Sequence, residues 1–104
     1  MKGIEIVNAQ IEKTFLGIED HGCFGGGITF RWGGSGQGFG IYLLSGPTCA
    51  DWIKGVISAV GVYQWEELVG KYARIDREHK KIHRIGHITE DRWFDPSDLE
   101  WEEQ

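Results

Sequence analysis

A chain of 104 residues is the length of one domain, about 100–200 residues being usual. An apolar share of 40% is enough for a core and argues against disorder, and a net charge of −5 counts against duplex DNA as a partner. No secretory signal opens the sequence and no apolar run is long enough to span a bilayer. Cys23 and Cys49 therefore read as small buried hydrophobes in a reducing cytosol. The core of so small a domain is thin, and an oligomer interface would help it. Trp32, Trp52, Trp65, Trp93 and Trp101 are too many for that core, so one or two should serve a surface that becomes covered.

In chain order, Gly3 to Ile18 reads as a strand. Ile4, Ile6, Ala9, Ile11 and Phe15 keep a period near two, with a shift around Val7-Asn8 that fits a bulge. Glu19-Asp20-His21-Gly22 is a turn, capped by Asp20. A second strand runs from about Gly27 to Trp32 and a third from Phe39 to Leu44, with Gly33 to Gly38 as the loop between them. Eleven of the sixteen glycines fall between Gly17 and Gly46, a density that is costly in backbone entropy and suits tight turns or close approach of a ligand.

Gly46-Pro47-Thr48 opens a helix, with Thr48 as N-cap and Asp51 in the reciprocal position. Ile53, Val56, Ile57 and Val60 give its buried stripe and Gly61 ends it. After a short turn at Gln64 to Leu68, Lys71–Arg77 and Lys81–Ile88 form a hairpin. From Phe94 the chain is an acidic tail, a loop anchored by Trp93 and Phe94. The expected fold is α+β, a small antiparallel sheet of about five strands, curved or partly closed, with one main helix packed on it. Residues 1–104 form a single domain.

Seven of the eleven basic residues lie between Lys71 and Arg92, so the hairpin is a local anion surface in an acidic protein. His79, His83 and His87 are spaced by four, but the segment favours a strand. There His83 and His87 stand about 13 Å apart, too far to share a metal. They read as two exposed strand histidines and one in a turn. Asp20-His21 near Cys23 lacks the third, orienting group that a nucleophile needs. The glycine run matches neither phosphate-binding fingerprint. Neither a catalytic set nor a metal or cofactor site emerges. Arg31-Trp32 and Arg92-Trp93 combine a fork for phosphate with a face for stacking a base.

Four blocks carry a family resemblance: Leu16 to Gly22, Gly36 to Gly40, Gly61 to Lys71 and Ile85 to Asp95. Together they resemble the first type of Thoeris anti-defence proteins, small phage and prophage proteins. The resemblance implies a sponge that holds cyclic ADP-ribose-type messengers, and in some members cyclic oligonucleotides, without cleaving them in the host bacterial cytoplasm. It also implies a homo-oligomer with pockets at subunit boundaries. On that reading Arg31, Arg84 and Arg92 contact phosphate, Trp32, Phe39 and Trp93 form stacking faces or walls, and His87 and Asp20 fix ribose or base edges. The rival expectations are a protein-binding inhibitor of a host defence enzyme, favoured by exposed tryptophans and the acidic tail, and a single-strand nucleic-acid module, disfavoured by net charge.

Overall fold

The computed structural model describes residues 5–42 and 46–99. Six strands form one antiparallel sheet, curled into a half-barrel: β1 (Glu5–Ile18), β2 (Phe24–Trp32), β3 (Ser35–Tyr42), β4 (Tyr72–Glu78), β5 (Lys81–Gly86) and β6 (Trp93–Phe94). Their order across the sheet is β3-β2-β1-β4-β5-β6. The one main helix, α1 (Gly46–Val60), packs on it, and 3-10 turns cover Trp65–Glu67 and Pro96–Asp98. The fold is α+β, as its sequence leads one to expect, with β6 as a sixth strand. Two residues cannot display a period, so Trp93 and Phe94 read as loop although they pair with Gly86 and Ile85.

Alternation along the strands sets the two faces. Val7, Ala9 and Ile11 of β1 turn inward, and the bulge falls between Ile11 and Lys13, not at Val7-Asn8. Beyond it the parity switches: Thr14 and Leu16 sit opposite Ile28 and Gly26, while Phe15 turns outward. Ile6, counted inward from the sequence, is on the outer face and half exposed. Inside, Ile28, Phe30, Phe39, Ile75, Ile82 and Ile85 meet Trp52, Val56, Ala59 and Val60 of α1. Trp52 and Ala59 replace Ile53 and Ile57 in the expected stripe, which rotates the buried face by about one residue. A Cβ on Gly55 would overlap the Phe94 ring, so a glycine there lets β6 close against the helix.

The glycine-rich stretch is mostly strand. Gly25 to Gly27 lie within β2, and Gly36 to Gly40 within β3. The connection is the two-residue turn Gly33-Gly34, with Trp32 opposite Ser35 and a positive φ of 54° at Gly33. β4 and β5 likewise turn in two residues, His79-Lys80, since Glu78 pairs with Lys81. Thr48 is not the N-cap: α1 already includes Gly46, and Thr48 is buried in its first turn. Gly61 ends the helix as expected, with φ 91° and its N–H, like that of Val62, bonded to the Ile57 carbonyl. Gly3, Ile4, Leu43, Leu44, Trp101 and the tail beyond residue 99 lie outside the described residues.

Candidate functional site

The curl of the sheet brings β3 round to face β5, so that two strands at opposite sides of the ladder approach each other across an open cleft. One end is clipped by Gln37. Its amide donates to the carbonyls of Glu78 (3.1 Å) and His79 (3.4 Å), and its oxygen accepts from Arg77 Nε (2.6 Å). Beyond the clip the cleft widens to about 680 Å³. Phe39 and Trp52 lie beneath it as core side chains, 5% and 1% exposed, their rings stacked with centroids 6.0 Å apart and 17° between planes. One wall is the glycine-bearing edge of β3 at Gly38 and Gly40, and the other is Lys80, Lys81 and His83. Ser97 and Asp95 border the far side, the Asp95 carboxylate accepting from the Ser97 N–H at 2.9 Å.

The electrostatics of this wall favour an anion. Lys80 and Lys81 are exposed and form no ion pair among the described residues. His83 is engaged: its Nε2 lies 2.5 Å from Glu78 Oε2, and its side chain is only 19% exposed. Two ammonium groups therefore border a strand edge that has no ladder partner among the described residues. That combination can hold an anion that also carries hydrogen-bonding groups.

The residues singled out from the sequence are distributed differently. Phe39 lies beneath the cleft and works chiefly as core. The two Arg-Trp dyads are not physical pairs: Arg31 and Trp32 are strand neighbours that point to opposite faces, and Arg92, just before β6, lies by Gly61 and Glu90 while other arginines flank Trp93. Arg31 lies on the outer face, 3.8 Å from Glu12, while Trp32 turns inward under Arg77, whose guanidinium carbon is 4.9 Å from the ring centroid. Trp93 lies over Gly86 and is flanked by Arg84 at 4.3 Å and Arg74 at 4.8 Å. Arg84 is further held by the buried Asp76 (2.8 Å), and Arg74 by the carbonyls of His87 and Glu90 (2.7 Å each). These cations and this indole are satisfied by one another.

His87 and Arg92 do come together, against Gly61 at the end of α1. His87 is not exposed as expected: its side chain is 16% exposed, and Nδ1 accepts the N–H groups of Thr89 (3.2 Å) and Glu90 (3.0 Å). With Nδ1 held as an acceptor, the neutral ring carries its proton on Nε2. Asp20 is exposed in the β1–β2 turn, far along the chain from these groups, and it does not cap that turn. Glu19 does, accepting from the N–H groups of His21 (2.7 Å) and Cys23 (3.0 Å).

No family model, curated protein or solved structure matches the chain. Among the described residues no three His, Cys, Asp or Glu side chains converge as a metal site would require. No helix among them is long and apolar enough to cross a membrane. Cys23 and Cys49 are free and half-buried. Sequence reasoning passed over Lys80 and Lys81 as site residues, although adjacent lysines at a predicted turn were the available signal.

Proposed function

We propose that this protein binds a cyclic, phosphate-bearing nucleotide signal, of the cyclic ADP-ribose or cyclic oligonucleotide type, and sequesters it without cleaving it. The observation that carries the reading is the cleft between β3 and β5, where Lys80 and Lys81, without an ion pair among the described residues, stand across from the glycine-bearing edge of β3. The ammonium groups take the phosphates, a base lies along the glycine-lined wall, and the β3 edge offers N–H and C=O groups to the base edge. Charge-assisted hydrogen bonds contribute about 1.5–3 kcal/mol each, so about four together approach micromolar affinity. The resemblance of the sequence blocks to phage anti-defence sponges supports the same ligand class, and with it a homo-oligomer acting in the bacterial cytoplasm.

Calorimetry against a panel of cyclic ADP-ribose isomers and cyclic dinucleotides tests the proposal. Binding of at least one, weakened about tenfold or more by Lys80→Ala with Lys81→Ala, is the expected result. Heat-denaturing the complex should release the ligand with its mass unchanged. Absence of binding at high protein concentration sinks the reading, and recovery of a cleaved product replaces it with an enzyme.

A further inference from the structure

We propose that the depression at the C-terminal end of α1 docks an acidic, extended peptide segment of a partner protein. The depression measures about 470 Å³ and is formed by Lys54 and Ser58 on the last turns of the helix, Val62 and Tyr63 just beyond it, and Arg92 from the segment before β6. It shares no lining residue with the cleft between β3 and β5, and the proposal does not depend on that cleft.

Three features of this surface are complementary to a peptide. Tyr63 is 93% exposed, yet its backbone is fixed, since Glu67 Oε1 accepts the N–H groups of Tyr63 and Gln64 at 2.9 Å each. An exposed aromatic ring on a rigid post loses little freedom on contact, and tyrosine is a favoured interface anchor for that reason. Lys54 forms no ion pair among the described residues, and Arg92 approaches a carboxylate only at 3.8 Å, from Glu90. Both cations are available to an incoming carboxylate. Finally, the Ile57 carbonyl receives both the Gly61 and the Val62 N–H, leaving the carbonyl of Ser58, which lines the depression, without a backbone donor among the described residues.

A peptide supplies what all three lack: a carboxylate for Lys54 and Arg92, a backbone N–H for the Ser58 carbonyl, and an apolar side chain against Tyr63. A phosphate group carries no N–H for that carbonyl and no apolar surface for the ring.

The test uses the full-length ¹⁵N-labelled protein and the probe acetyl-Asp-Leu-Asp-Leu-Asp-amide, with its all-asparagine counterpart and inorganic phosphate as controls. The amides of Gly61, Val62 and Tyr63 should shift and approach saturation at about 1 mM aspartate peptide, the range of a weak transient contact. Tyr63→Ala, and Lys54→Ala with Arg92→Ala, should each weaken binding about tenfold, as loss of an interface anchor does, while Lys80→Ala with Lys81→Ala leaves it unchanged. The proposal is overturned by absent shifts at these amides, by equal binding of the asparagine peptide, or by the same shifts with phosphate alone.

Discussion

Glu19 holds the β1–β2 turn by accepting two backbone N–H groups, and the one from Cys23 is the largest influence holding its carboxyl below the ordinary carboxylate value of 4.5. A folded value below the unfolded one means that the ionised form stabilises the fold. That contribution is complete above the unfolded value and is lost as pH falls through the lowered folded value. Urea titrations between pH 6 and pH 3 should therefore show a loss of stability that is smaller in Glu19→Gln, whose side chain does not titrate. An identical slope in the two proteins would remove Glu19 from the account. Gly86 makes a second residue-scale case, because a Cβ there would come within 2.6–2.9 Å of the Trp93 indole. Gly86→Ala should displace Trp93 from between Arg74 and Arg84 and cost about 1–3 kcal/mol, as overpacking does. The checks are a chemical-denaturation midpoint and a red-shifted tryptophan emission.

Between elements, Gln37 is the clip that holds the curled sheet closed at one end, joining β3 to the end of β4 and the turn after it by three hydrogen bonds. Gln37→Ala removes them and leaves Arg77 Nε without its acceptor, so it should cost about 1–3 kcal/mol. Amides of β3 should then exchange faster with solvent than those of β1, which stays paired on both sides. Equal protection would mean that the curl is maintained by the core alone. This clip explains why the element list was legible in the sequence but the site was not. Local signals marked the strands, the helix and its end at Gly61, because periodicity and a positive φ are written in adjacent residues. Gln37 and Glu78, by contrast, are 41 residues apart, and nothing near either names the other. The bulge between Ile11 and Lys13 changes which apolar residues face inward without any change in composition. Arg31 and Trp32 are parted by their adjacency along a strand, and Trp93 is flanked by Arg74 and Arg84 from neighbouring positions of the sheet, not by Arg92 beside it in the chain.

At the scale of the whole molecule, the cleft lies between the β3 edge of the sheet and β5, clipped at one end and open beyond. A ligand seated there touches both sides, so it adds to the links that β3 already makes through β2, through Gln37 and through Phe39, which packs on Trp52 of α1 and on Phe94. Binding to the folded state alone stabilises it by about 2.7 kcal/mol at a ligand concentration of one hundred times Kd. For a domain of about 100 residues, each kcal/mol moves the melting temperature by about 4–8 °C. A bound nucleotide at that concentration should therefore raise Tm by about 10–20 °C. Lys80 and Lys81 are exposed and unpaired, so Lys80→Ala with Lys81→Ala should leave the Tm of the free protein within a degree or two, as surface substitutions usually do. The same variant should lose most of the ligand-induced rise. Scanning calorimetry of both proteins with and without ligand separates the contributions, because the lysines enter only through the ligand. A full rise in the double variant would place the nucleotide somewhere other than this cleft.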